Sequence, residues 1–128
     1  MTYHFSKTLK TSFQDALERT KEALKKEGFG VMTEIDVKAT LKEKLNVDFR
    51  AYHIIGACNP PLAYRALQAE DKIGLMLPCN VVVQELEPGS VEVAAFDPIV
   101  VMSAVGNPDL RSVGQEVQMK LEVVIRSL

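Results

Sequence analysis

The chain has 128 residues, a length typical of one domain, here residues 1–128, with a self-sufficient hydrophobic core. Apolar residues make up 47% and charged residues 25%, which excludes a disordered or fibrous chain. The formal net charge is -2, because 17 acidic residues outweigh 15 basic ones. This balance argues against the basic surface that binding to nucleic acid or to an anionic membrane requires.

The sequence has no sign of membrane insertion or export. No apolar stretch approaches the roughly 18 residues that cross a bilayer, and the N-terminus lacks the basic-then-apolar pattern of a signal peptide. Two cysteines are too few for a disulfide scaffold in a chain of this length. We therefore expect a soluble, cytoplasmic protein whose cysteines are reduced thiols.

The N-terminal segment predicts a strand followed by a long helix. Apolar and polar residues alternate between Tyr3 and Leu9, as in a half-buried strand. Thr11 or Ser12 can cap the next helix, whose apolar stripe runs from Phe13 to Leu24. Gly28 then supplies a residue that tolerates the left-handed conformation at a helix end.

Two further strand–helix pairs are predicted next. Residues 31–35 alternate as a strand, and Asp36 can cap a short helix after them. Residues 49–56 have the β-branched and aromatic content of a third strand, either side of which could face the core. Asn59 followed by Pro60 is typical of an N-cap and a first helical position, so a third helix is expected there.

A hairpin follows in the second half of the chain. Residues 80–86 and 90–96 are two strand-like segments, and Glu87, Pro88 and Gly89 join them in a turn typical of a tight reversal. With long helices near both ends, this order predicts an α+β fold in two layers, with a mainly antiparallel sheet and helices packed chiefly on one face. A doubly wound parallel sheet is the alternative, which the hairpin disfavours.

The last quarter contains an ambiguous segment and a closing helix. Residues 99–105 are apolar and either extend the sheet or run beside it, because Asp97-Pro98 interrupts the preceding strand. Asn107-Pro108 repeats the cap-then-proline pattern and begins a long amphipathic helix. Glycine is unfavourable inside a helix, so we interpret Gly114 as a point of close packing.

The candidate site consists of two similar tetrads, Ala57-Cys58-Asn59-Pro60 and Leu77-Pro78-Cys79-Asn80. If Asn59 caps the third helix, Cys58 lies at the positive end of the helix dipole, which favours its thiolate. We predict that folding brings the two Cys-Asn pairs together at an accessible pocket. The alternative is that both cysteines are buried hydrophobes, with Asn59 a cap and Asn80 a turn residue.

No recognised catalytic motif is present, so no catalytic residue is assigned and enzymatic activity is left uncertain. His53 could act as a base beside a cysteine, but a single histidine in an alternating strand is more often structural. Cys58 and Cys79 are far apart in sequence and have no second pair beside them, which argues against a tight zinc site. A soft ion such as Cu(I) accepts fewer thiolate or thioether ligands and stays open as an alternative.

Four stretches of the chain resemble the domain of unknown function 302 family of bacteria and archaea. They are GFGVMTEIDVKATLKEKL at 28–45, YHIIGACNP at 52–60, ALQAEDKIGLMLPCNVVV at 66–83 and DP at 97–98. The resemblance implies a compact α/β domain, often self-associating, with no established biochemical activity. It also implies that Cys58-Asn59 and Cys79-Asn80 are characteristic pairs of the family, without a catalytic role.

Three functional hypotheses remain. The first is a homodimeric binding domain for a small anion, a sulfur compound or a soft metal, with candidate ligand-binding residues Cys58, Asn59, Cys79, Asn80 and His53. The second is a thiol-dependent redox or sulfur-transfer enzyme in which Cys58 is the nucleophile and Cys79 the resolving or accepting thiol. The third is an assembly module that uses a sheet edge or an exposed apolar surface. None involves nucleic acid or a membrane, and the cofactor is unknown.

Overall fold

The computed structural model describes residues 2–128. Within this range the chain forms five strands and five α-helices, in the order β1 (His4–Leu9), α1 (Phe13–Lys26), β2 (Gly30–Asp36), α2 (Val37–Leu45), β3 (Tyr52–Cys58), α3 (Pro60–Ala69), β4 (Cys79–Glu87), β5 (Ser90–Phe96), α4 (Pro98–Ser103) and α5 (Arg111–Arg126). Short 3-10 helices cover Asp71–Met76 and Pro108–Leu110. None of the helices in residues 2–128 has both the length and the apolar composition needed to cross a membrane.

The strands form one sheet in the order β1-β5-β4-β3-β2, and every neighbouring pair is antiparallel. The predicted α+β fold with an antiparallel sheet is therefore confirmed. Helices α1 and α5 pack against the central strands and against each other. The sheet residues under them are fully buried: Ile55, Val81, Val83, Val91 and Val93.

Helix α1 shows how local chemistry sets the ends of a helix in this chain. The Ser12 hydroxyl accepts a hydrogen bond from the Asp15 amide at 3.1 Å, which satisfies a free N–H of the first turn. At the other end Gly28 has φ +86°, a left-handed conformation that glycine adopts without steric cost. The predicted helix, with Ser12 as its cap, is observed.

The β2–α2 segment is the least covered part of the fold. The Asp36 carboxylate caps α2 by accepting a hydrogen bond from the Ala39 amide at 2.9 Å, as its position predicted. Every residue of β2 is exposed, and α2 buries none of its residues. Large apolar side chains such as Met32 and Leu45 are each 65% exposed there. This segment adds a strand to the sheet without adding to the core.

Two segments differ from their sequence-based predictions. Strand β3 begins at Tyr52 and reaches Cys58, whereas residues 49–56 were expected. Residues 99–105 were expected to extend the sheet or run beside it, but Pro98–Ser103 form helix α4. The Asp97 carboxylate accepts a hydrogen bond from the Ile99 amide at 2.9 Å, and Pro98 occupies the first helical position. The cap-then-proline pattern therefore applies at Asp97-Pro98 as well.

Gly114 in α5 is a point of close packing, as expected. A Cβ atom at this position would lie 3.1 Å from Met102 Sδ and 3.2 Å from Ile99 Cδ1. The missing side chain lets α4 approach α5 closely. This contact brings Met102 beside the core.

Gly56 in β3 provides a test of the sheet packing. A Cβ added there would overlap Thr33 Oγ1 and lie 2.8 Å from Pro78 Cγ. We expect Gly56→Ala to lower the free energy of unfolding by about 1–3 kcal/mol, because a well-packed sheet must shift to accept the methyl group. Urea denaturation measures the change. Gly74→Ala is the control, since a Cβ at Gly74 meets no atom within 4 Å; equal losses in both variants would contradict the packing argument.

Candidate functional site

An apolar pocket lies where β3 ends, β4 begins and α3 packs against α5. Its volume is about 30 Å³, and its walls include Phe29, Leu62 and Ala66, with Val113 and Val117 from α5. Among the described residues, those that line the pocket include no charged side chain. The pocket is therefore a small low-polarity space.

Both cysteines line this pocket. The reason is the register of the sheet, in which Ala57 at the end of β3 lies directly opposite Cys79 at the start of β4. Cys58 follows Ala57 and is half-buried, whereas Cys79 is only 7% exposed. The cysteines of the two tetrads, distant in sequence, thus meet at one corner of the molecule.

Burial extends the pH range over which the Cys79 thiol stays protonated. Loss of hydration raises the pKa of this thiol from 9.0 to about 12, and the nearby Cys58 adds a smaller contribution in the same direction. Cys79 is therefore a neutral thiol at physiological pH. Its protonated form suits the apolar walls around it.

Asn80 does not line the pocket. It follows Cys79 in a regular strand, where successive side chains point to opposite faces of the sheet. Cys79 is buried and Asn80 is exposed, as this alternation requires. The second Cys-Asn pair therefore divides between the two faces and does not act as a unit.

Asn59 lines the pocket, and its side chain links the start of α3 to the end of α1. It is the N-cap residue of α3, but its side chain makes no capping bond there. Its Nδ2 donates instead to the Glu27 carbonyl at 3.3 Å, which satisfies a carbonyl at the end of α1. Pro60 and Pro61 have no N–H, so the start of α3 has fewer amide donors than the sequence-based prediction assumed.

His53 lies outside the pocket. It is five positions before Cys58 on β3, about 16 Å along an extended strand. Its Nδ1 donates to Glu34 Oε1 at 2.9 Å, and its Nε2 lies 3.5 Å from Asp36 Oδ2. His53 thus connects β3 to the exposed strand β2 and is not among the residues that line the pocket with the thiols.

The carboxylates beside His53 do not form a metal site. Lys21 Nζ lies 2.7 Å from Glu34 Oε2, and this hydrogen bond lowers the pKa of Glu34 against the opposing effect of partial burial, with a further contribution from His53. Within residues 2–128 there is no group of three or more His, Cys, Asp or Glu side chains placed to hold a metal ion. The cluster is an ion-pair network.

Comparison with known proteins agrees with this fold. The family model "Domain of unknown function DUF302" matches residues 5–128. The chain belongs to this family. It is also similar to the crystal structure of uncharacterized conserved protein DUF302 from Bacillus stearothermophilus, with a TM-score of 0.90 and 29% identity, covering 98% of this chain and 98% of that chain. No curated protein matches the chain.

Several pocket residues of this DUF302 domain were not found from the sequence. Met76 and Met102 line the pocket beside the cysteines, together with Phe29 and Phe96. Met102 could be placed only once Ile99 and its neighbours were known to form a helix. Met76 lies in a 3-10 helix that has no strong sequence pattern.

Cys79 generates a prediction about alkaline stability. The folded state keeps the Cys79 proton up to about pH 12, whereas an unfolded thiol loses it near 9.0. Above the lower value the unfolded chain binds fewer protons, so the free energy of unfolding should fall as pH rises, approaching about 1.4 kcal/mol per pH unit. Below about pH 9.0 the contribution of the Cys79 thiol to the free energy of unfolding is fully present.

Urea denaturation of this DUF302 domain from about pH 8 to about pH 10.5 measures the slope. Cys79→Ala should remove this contribution, leaving the slope that other groups produce. Cys58→Ala is the matched control and should keep it. If both variants retain the wild-type slope, Cys79 is not the group responsible.

Proposed function

We propose that this protein is a small-ligand-binding domain and that its ligand occupies the pocket beside Cys58. The observation that carries the proposal is the convergence of both cysteines on one apolar cavity, where one thiol is half-buried and the other is buried. A cavity of about 30 Å³ is far smaller than the roughly 300–1,000 Å³ pockets that hold drug-sized molecules. The ligand therefore has few heavy atoms.

The chemistry of the pocket favours a sulfur-seeking ligand over an anion. An anion needs amide donors or cations, but Pro60 and Pro61 lack N–H groups and no charged side chain lines the described cavity. The Asn59 amide is already bonded to Glu27. Of the three ligand classes expected from the sequence, a sulfur compound or a soft metal fits this environment and a small anion does not.

The alternative function, a thiol-dependent redox or sulfur-transfer enzyme, is less favoured by the electrostatics. A resolving thiol attacks as a thiolate. With its pKa raised to about 12, Cys79 holds its proton at neutral pH. We therefore propose ligand binding at the thiols as the function, in preference to catalysis of a redox or sulfur-transfer reaction.

Filling the pocket tests the proposed binding. Ala63 lines the cavity from α3 and is half-buried, so Ala63→Leu places additional carbon atoms in the space. Native mass spectrometry of protein purified without tag or chelator should show a bound species on the wild type and none on Ala63→Leu. Ala39→Leu, at an exposed position of α2, is the control and should retain the ligand.

The wild type without any bound species under these conditions would contradict the proposal. So would a bound species that persists in Ala63→Leu. Far-ultraviolet circular dichroism should be the same for both variants, which separates pocket filling from misfolding.

We also propose that the chain is a homodimer that pairs through β2. This strand occupies a sheet edge with β3 on one side only, so backbone N–H and C=O groups on its other side face outwards in the described chain. Met32, Ile35 and Leu45 add exposed apolar surface beside that edge. A second copy presents the same edge, and antiparallel pairing about a two-fold axis closes the assembly.

The β-bulge between Val31 and Thr33 fits a closed pair better than open-ended addition of strands. A bulge disrupts the regular ladder and increases the local twist, which makes the edge a poor template for indefinite stacking. The second copy is thus the occupant that we propose for this edge.

Sedimentation velocity tests the dimer. Ile35→Lys introduces a charge at the edge strand and should shift the wild-type dimer towards monomer. Met119→Lys is the control, because Met119 is 66% exposed on α5, away from β2. A wild type that is monomeric across the concentration range, or a dimer unaffected by Ile35→Lys, contradicts pairing through β2.

A further inference from the structure

Four sulfur-containing residues line the pocket. Cys58 and Cys79 line it, and so do Met76 and Met102. Of the four methionines that the structure describes, the other two are Met32 and Met119, which are 65% and 66% exposed outside the pocket. Thioethers are thus placed beside the thiols, in a cavity whose remaining walls are almost entirely hydrocarbon.

This donor set selects soft metal ions. Thiolate and thioether ligands favour Cu(I) and similar ions, whereas harder ions require carboxylate, carbonyl or water oxygens. No carboxylate or imidazole lines the described pocket, and the Asn59 amide supplies one side-chain oxygen, far fewer than the roughly six to eight oxygen ligands that Mg²⁺ and Ca²⁺ take. A tetrahedral zinc site also lacks its usual set of cysteine and histidine ligands.

Charge further restricts the choice to a monovalent ion. Burying net charge in an apolar environment is costly unless an opposite charge is bound directly to it. A monocation bound to one thiolate forms a neutral unit, which thioethers can complete without adding charge. A dication with the same thiolate would leave a net positive charge inside hydrocarbon walls.

The size and position of the pocket are consistent with a single ion. About 30 Å³ is enough for one or two water-sized groups. Met102 also lines a wider depression next to α4 and the start of α5, so it lies between the pocket and an open surface. The absence of a side chain at Gly114 leaves room for the Met102 sulfur in this position.

We infer that the pocket binds one monovalent soft metal ion, Cu(I) or Ag(I), through the Cys58 thiolate and the thioethers of Met76 and Met102, with the neutral Cys79 thiol beside them. The inference rests on the proposed binding function and names its ligand class. In the binding step the Cys58 S–H bond breaks, a Cys58 sulfur–metal bond forms, and the proton is released to solvent. The metal enters as a monocation, so no electron is transferred.

Ag⁺, which is redox-inert, is the first probe. Native mass spectrometry in chloride-free buffer should show one Ag⁺ per chain at equimolar addition, with loss of one proton. Zn²⁺ added at the same concentration should not bind. Competition with a coloured chelator of Cu(I) under reducing, anaerobic conditions then gives the affinity for Cu(I).

Matched double variants distinguish the pocket from an exposed thiol. Met76→Leu/Met102→Leu keeps the apolar volume and removes the two thioethers, so it should weaken Cu(I) binding by at least about tenfold. Met32→Leu/Met119→Leu makes the same chemical change outside the pocket and should leave the affinity unchanged. Cys58→Ser should abolish stoichiometric binding, whereas Cys79→Ala removes no bound thiolate and should keep one ion per chain.

Three outcomes would overturn the inference. These are no binding of either ion, equal affinity in the two methionine double variants, and binding that depends on Cys58 alone. Each is distinguishable from failure of the proposed function. If a native bound species is lost in Ala63→Leu while Cu(I) and Ag⁺ do not bind, the pocket is a ligand site and only the soft-metal assignment is wrong.

Discussion

Antiparallel pairing of β3 with β4 is the interaction on which the candidate site depends. The ladder places Ala57 opposite Cys79, so the C-terminal end of one strand meets the N-terminal end of the next and both thiols reach one corner. Apolar side chains from α3 and α5 then surround this corner. Burial among them favours the neutral form of the deeper thiol and disfavours charged groups. Backbone geometry thus sets the location of the site, and desolvation sets its chemistry.

Much of the fold could be predicted from local sequence patterns. Caps such as Ser12 and Asp36 act within a few residues, so helix starts can be recognised without tertiary information. The Pro88-Gly89 turn likewise identifies an antiparallel hairpin from adjacent residues. The helical state of Pro98–Ser103 is indicated only by the cap-then-proline pattern at Asp97-Pro98, because the apolar residues of the segment suit a strand equally well. A short apolar run has no periodicity that separates helix from strand.

The site was predicted less completely, for a physical reason that differs at each residue. Cys58 and Cys79 were correctly placed together, but Asn80 was not, because neighbouring residues in a strand face opposite sides. That error was avoidable from the sequence. The methionine contributions were not, since Met102 reaches the pocket through the packing of α4 on α5. Contacts between elements distant in sequence leave no trace in local patterns.

The position of β1 has a consequence for how the molecule is made. This strand joins the sheet beside β5, with His4 opposite Phe96 and Leu9 opposite Val91. Pairing β1 with β5 closes a loop that contains most of the other elements. Closing this loop costs more chain entropy than forming the β4–β5 hairpin, whose strands are adjacent in sequence. During synthesis β1 leaves the ribosome long before β5, so it has no partner strand until β5 has followed it. A strand made before the rest of the sheet is therefore among the last that can join it.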